Sequence, residues 1–272
     1  MNLISKFTEA LIFSNIWVSI CIVCLYQAFS IMINEQNNDI IIFLFFSTLS
    51  CYNFQRIVKS KQANYKYSKW ISKFRPLIKI TIVISSAISI FYFLKFKITT
   101  QIFIACISLI SILYPFILRK IPYIKIFIIS IIWTISISIL KIFEEKIKID
   151  IDLILFTVTI FLFVFSITIP FDIRDIKYDN EKLKTLPIVL GEQKSKIISL
   201  SSLVISLFIY SYLFIEKKLF FSQYIGILCF LFIITIMIDK VNKEQSDFYV
   251  SFWIESTSII FCLILVLTSW SI

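Results

Sequence analysis

Apolar residues run along this chain in long blocks and do not alternate with polar ones. Nine blocks stand out, at 10–33, 40–58, 77–94, 98–118, 121–140, 153–170, 197–215, 219–238 and 248–270. Each approaches the ~20 residues that carry a helix across a bilayer core. Strands fit poorly, because the blocks lack a period of two and are about twice the length of a barrel strand. The third block is the weakest, since Lys79 interrupts its start. The first is too long to be a signal peptide, and no small-residue cleavage site comes after it. The pattern predicts an all-α fold, a polytopic membrane bundle of about nine transmembrane helices forming a single domain over 1–272.

Composition agrees. Apolar residues make up 59% of the 272, with 29 Phe and only 2 Gly, beyond what an ordinary soluble domain carries. The net charge of +10 would suggest nucleic acid in a soluble protein, but its distribution excludes that partner. On alternating sides of the nine blocks, 20 of the 27 Lys and Arg fall with the N-terminus and the loops after blocks two, four, six and eight. The positive-inside tendency then puts the N-terminus in the cytoplasm and the chain in the inner, cytoplasmic membrane, bathed in membrane lipid. The six cysteines lie in or at the edges of apolar blocks and read as packing residues. With no His in the chain, haem ligation and imidazole catalysis are excluded.

The chemistry concentrates in 171–191, FDIRDIKYDNEKLKTLPIVLG. Asp172, Asp175 and Asp179 stand at offsets of three and four, which keeps all three on one helix face. Carboxylates that close call for a cation, and one or two carboxylates with substrate phosphates are how proteins hold Mg²⁺. A solvated helix end is the plainer alternative. Arg174 and Lys177 offset part of the repulsion. On the same predicted cytoplasmic face, Asn53 and Arg56 stand three apart at the end of the second block. Arg56 either snorkels to headgroups or clamps a diphosphate with its planar guanidinium. Glu255 lies about 10 Å into the last block, at 1.5 Å per residue, where an ionisable group marks a buried pair or a site.

Asp172-Ile173-Arg174-Asp175-Ile176-Lys177-Tyr178-Asp179, then Thr185-Leu186-Pro187 and Gly191, resembles the second aspartate motif of the UbiA superfamily of intramembrane prenyltransferases. Leu113-Tyr114-Pro115, Arg119-Lys120, Pro122-Tyr123, Lys125 and Trp133 are similar to its turn between the fourth and fifth spans. The resemblance implies a prenyl diphosphate held through Mg²⁺, an apolar tail in a lipid-side groove, and a lipid-soluble acceptor, aromatic or lipid, that captures the allylic cation. It also implies reaction-centre roles for Asp172, Asp175 and Arg56. Metal contact falls to Asp172, Asp175 and Asp179. Substrate contact falls to Asn53, Arg56, Lys61, Tyr114, Lys125, Arg174, Lys177 and Glu255. The first motif departs from the family pattern. Asn53 matches, but Phe54, Ile57 and Lys61 stand where carboxylates are expected, leaving Arg56 and Lys61 as candidate fixed cations. Two function classes remain: a prenyltransferase with a modified first site, or a non-catalytic isoprenoid- or quinone-binding scaffold. A transporter fits less well, for want of an internal repeat or helices broken at midplane.

Overall fold

The computed structural model describes residues 3–60, 68–177 and 183–269. Every regular element among them is helical. In chain order these are α1 (Leu3–Phe13), α2 (Ile16–Met32), α3 (Asn38–Lys59), α4 (Ser68–Lys95) and α5 (Ile98–Leu113). Then come α6 (Lys125–Glu145), α7 (Ile151–Asp175), the short α8 (Leu186–Leu190), α9 (Glu192–Ile215), α10 (Phe221–Asp239) and α11 (Tyr249–Ser269). Seven of these are long and apolar enough to cross a membrane, and α2 and α5 are shorter apolar helices. The protein is an integral membrane protein with an all-α fold.

Packing neighbours form a closed circuit: α2 on α3, α3 on α4 and α5, α5 on α6, α6 on α7, α7 on α9, α9 on α10, α10 on α11, and α11 back on α2. The inward faces carry Tyr26, Phe29, Phe163, Phe230 and Phe261, all buried. Phe230 stacks on Phe261 at 4.5 Å between centroids. Outward faces stay apolar and exposed, as with Phe208, Phe232 and Leu267, the arrangement lipid demands and water would penalise.

Local chemistry sets where the elements break. The first block is two helices, because Asn15 takes a left-handed conformation at φ 62°, which Asn tolerates better than most residues. Helix α6 starts at Lys125, four residues later than the fifth apolar block predicts. A short 3₁₀ turn at Leu118–Lys120, Pro122 and the positive φ of Tyr123 hold off its start. The weak third block belongs to the long α4, whose Lys79 is exposed and whose irregular Phe74 precedes Pro76.

The sixth block continues through Asp175, so Asp172 and Asp175 lie within α7. Pro170 inside that helix cannot bond the Ser166 carbonyl. The Ser199 hydroxyl of α9 donates to it instead, at 2.8 Å, which satisfies the orphan acceptor and pins α7 just before its acidic end. Two π-helical segments, at Ile135–Ile139 in α6 and Tyr249–Ile254 in α11, insert extra residues into otherwise regular helices. Such segments often accompany functional sites.

The two ends of the bundle differ. At one end, Lys218 meets Asp152 at 2.5 Å and Asn37 donates to Glu145. There the fully buried Lys141 donates to Ser30 Oγ at 2.8 Å and to the Glu35 carbonyl, a satisfied structural amine. The other end gathers the C-terminal ends of α3, α5 and α7 with the N-terminal ends of α6 and α11, and it holds the site.

Candidate functional site: a charged cavity beside an apolar one

A cavity of about 240 Å³ opens between these five helix ends. From α3 come Tyr52, Gln55 and Lys59, and from the α5–α6 connection Tyr114 and Arg119. Helix α6 adds Lys125 and Trp133, α7 adds Thr168, Phe171, Asp172, Arg174 and Asp175, and α11 adds Glu255. Asp172 is fully buried and its Oδ1 lies 2.5 Å from Lys125 Nζ. Three residues on, Asp175 Oδ1 accepts from Arg174 Nε at 2.8 Å. Arg174 also donates from Nη1 to Ser251 Oγ at 2.7 Å, approaches Asp247 at 3.6 Å, and lies over the Phe171 ring at 5.1 Å. That web locks the arginine between α7 and α11.

A second cavity of about 600 Å³ lies alongside, between α3, α4, α5 and α6. Its wall is mostly apolar, with Phe43, Leu44, Ile90 and Ile104, relieved by serine hydroxyls such as Ser47, Ser86 and Ser108. Cys51, Tyr52, Ser111, Ile132 and Trp133 line both spaces. At that shared wall, Trp133 Nε1 donates to the Tyr52 hydroxyl at 2.9 Å. A charged head-group space and an oily space therefore meet at one tryptophan–tyrosine pair.

The family profile described as UbiA prenyltransferase family matches residues 75–257, more than half of the chain. The chain belongs to that family. Solved structures share its fold throughout. A digeranylgeranylglyceryl phosphate synthase is 18% identical with a TM-score of 0.64, covering 98% of this chain and 99% of that one. A UbiA homolog from Archaeoglobus fulgidus bound to GPP and Mg²⁺ is 12% identical with a TM-score of 0.65, covering 96% and 99%. The apo UbiA homolog from Aeropyrum pernix K1 is 11% identical with a TM-score of 0.64, covering 93% and 98%. A search of the curated proteins finds no match.

Within this UbiA-family fold, the sequence-predicted residues divide. Asp172, Asp175, Tyr114, Lys125, Arg174 and Glu255 line the one charged cavity. Arg56 does not. Its Nη1 donates to the carbonyls of Ile12 at 3.3 Å and Phe13 at 2.5 Å, so the guanidinium caps the C-terminal end of α1, where orphan carbonyls attract a cation. Two of the contacts of the arginine expected to clamp a diphosphate are therefore with α1, and it is not among the residues that line the cavity. Asn53 is likewise committed. It accepts from Asn15 at 2.9 Å and donates to the Ser14 and Leu49 carbonyls, each at 2.9 Å. The matching first-motif residue thus holds the α1–α2 break in place and does not line the cavity. Lys177 is exposed beyond the end of α7 and is not among the lining residues. Lys61 and Asp179 lie outside the described residues.

Lys59 and Arg119 are the site residues that sequence reasoning passed over. Both sit at the ends of apolar blocks, where basic residues are expected on topological grounds alone. For Arg119, its place in the family-like patch with Tyr114 and Lys125 was the available signal. No such signal marked Lys59.

The described residues contain no group of three or more Asp, Glu, Cys or His placed to enclose a metal. Asp172 and Asp175 offer hard oxygens one turn apart on the cavity wall, which suits one Mg²⁺ completed by phosphate oxygens. Among the described residues, no second carboxylate cluster faces them from α3, where Tyr52, Gln55 and Lys59 line the wall.

Proposed function

We propose that this protein is a membrane prenyltransferase. It moves an isoprenoid from a prenyl diphosphate to a lipid-soluble acceptor, aromatic or lipid, at the cytoplasmic side of the membrane. The observation that carries the reading is the junction of the two cavities at Trp133 and Tyr52. A prenyl diphosphate is a doubly or triply charged head on an apolar tail, and the paired spaces suit each part.

Asp172 and Asp175, with Asp179 after them in the motif, would hold one Mg²⁺, which supplies charge to the departing diphosphate. Lys125 orients Asp172 through their 2.5 Å ion pair. Arg174 does the same for Asp175 while tying it to α11 through Ser251. Tyr114 borders the head-group space. Trp133 and Tyr52 line both spaces, beside the point where the C1–O bond would break, and aromatic rings attract a cation. Glu255, on the wall of the charged cavity, would bind the acceptor. The apolar walls keep water from the allylic cation.

Membranes containing the protein should transfer label from a radioactive prenyl diphosphate to an acceptor. Asp175→Asn should lower the rate by about 100-fold or more, the cost of removing one group that stabilises developing charge. No transfer to a broad panel of aromatic and lipid acceptors would overturn the proposal. One observation favours the second reading, a binding scaffold. The first-motif Asn53 is spent on Asn15 and two backbone carbonyls, and among the described residues no carboxylate from α3 lines the cavity wall. Saturable prenyl diphosphate binding with no consumption of ligand would select that reading.

A further inference from the structure

Helix α4 is the least enclosed of the seven membrane-length helices. Of its apolar window 11% is buried, against 33% for the next lowest, α9. It packs chiefly on α3 and meets α1 where the Phe13 and Trp70 rings lie 5.3 Å apart. The bilayer must cover its other faces. Charge shows at what depth. Lys79 and Lys95 bracket 15 residues that carry no charge. At 1.5 Å per residue the two lysines stand about 24 Å apart along the axis. That is shorter than the ~30 Å of a hydrocarbon core, so Lys79 extends its amine outward to the headgroups. Lys73 and Arg75, which come before it, lie among those headgroups. Between them Phe74 departs from helical geometry (φ −104°, ψ 15°), just ahead of Pro76, so the first turns need not follow the axis of the span.

Lys73, Arg75 and Lys79 are exposed and make no ion pair among the described residues. Leu77 and Ile80, apolar and also exposed, alternate with them. Trp70 lies 4.9 Å from Phe74, an aromatic pair at the level where such rings collect. The sequence from 61 to 79 holds six Lys and Arg and no acid. Basic residues elsewhere at this end of the bundle are mixed with acids. Lys196 pairs with Glu192 at 3.3 Å, the Lys243 backbone N–H donates to Glu192, and Arg174 approaches Asp247. A general bias of positive charge to one side of the membrane would not sort acids away from α4 alone.

We propose that the first turns of α4 bind anionic phospholipid in the leaflet at the site end. Headgroup phosphates meet Lys73, Arg75 and Lys79, and the acyl chains below them cover Leu77 and Ile80. Basic residues flanking a span attract anionic lipid by about fivefold each. Because protein holds α4 mainly along α3, this lipid contact fixes the rest of its position. The same helix supplies Ile82, Ser86, Ser89 and Ile90 to the wall of the larger cavity. The lipid charge of the membrane therefore bears on the shape of that space, whichever reaction takes place in it.

The test uses the full-length protein in detergent, offered equal amounts of phosphatidylglycerol and phosphatidylcholine, with bound lipid read by native mass spectrometry. Phosphatidylglycerol should bind about tenfold more tightly or better, the product of two or three such charges. Lys73→Gln/Arg75→Gln/Lys79→Gln should bring the two lipids within about twofold of each other. Lys146→Gln/Lys148→Gln, exposed at the opposite end of the bundle, should keep the wild-type preference. High salt should weaken the preference of the unaltered protein, which reads the same charges even if the triple variant fails to fold. Equal binding of both lipids by the wild type would overturn the proposal. So would a preference that survives the triple variant, or one lost equally in the variant at the other end. Displacement of the lipid by an excess of inorganic phosphate would also overturn it, by showing a site for free anions.

Discussion

The two facing walls of the charged cavity have different standing. The α7 wall, with Asp172, Arg174 and Asp175, lies inside the matched family region, as do Arg119, Lys125 and Glu255. The α3 wall, with Tyr52, Gln55 and Lys59, lies before it. The matched side presents carboxylates on α7, each held by a cation of the chain. The unmatched side presents an amine, and its most motif-like residues, Asn53 and Arg56, turn away to stitch α1 to α3. Side-chain type alone does not make a polar residue part of a site. What decides is whether a neighbouring element leaves a backbone carbonyl in reach.

The sharpest way to break this contrast is at Lys125. Lys125→Met removes the ammonium 2.5 Å from the fully buried Asp172 and should cost about 3–5 kcal/mol, the usual result of stranding one partner of a buried pair. Thermal unfolding in detergent would report it. The double variant Lys125→Met/Asp172→Asn should recover most of the loss. Next comes Asp175→Asn, whose expected loss of about 100-fold in transfer corresponds to roughly 2.7 kcal/mol of barrier.

On the opposite wall the expectation is inverted. Arg56→Met and Asn53→Ala should each lower stability by about 1–3 kcal/mol by orphaning buried backbone carbonyls. The KM for prenyl diphosphate should stay within about twofold of wild type, because neither side chain is among the residues that line the cavity. A tenfold rise in KM for Arg56→Met, without loss of stability, would return that arginine to the substrate. Smallest is Trp133→Phe, which deletes the hydrogen bond to Tyr52 and should cost about 1 kcal/mol. It should also raise KM for the prenyl substrate more than it weakens binding of inorganic pyrophosphate.

Much of the fold was legible because lipid imposes a simple rule: a helix must be long and oily to span it. The apolar blocks therefore marked the helices well, and the breaks less well. The division at Asn15 depends on Asn53, 38 residues away, and the late start of α6 depends on a turn whose apolar residues resemble its neighbours. In the site, Asp172 and Asp175 were legible from spacing, and Tyr114 and Lys125 from family-like context. Arg56 was harder to place, because two of its partners, carbonyls of α1, have no signature in the sequence. Lys59 went unnoticed for the opposite reason, since a lysine closing a span is what topology alone would place there.

The π-helical segment at Tyr249–Ile254 sets the rotational phase of the rest of α11. Glu255 is the next residue, so its bearing toward the cavity depends on the looser winding just before it. Rewinding the same residues as a regular α-helix would leave α11 long enough to cross the bilayer yet turn Glu255 part of the way round the helix axis, away from its present bearing on the cavity.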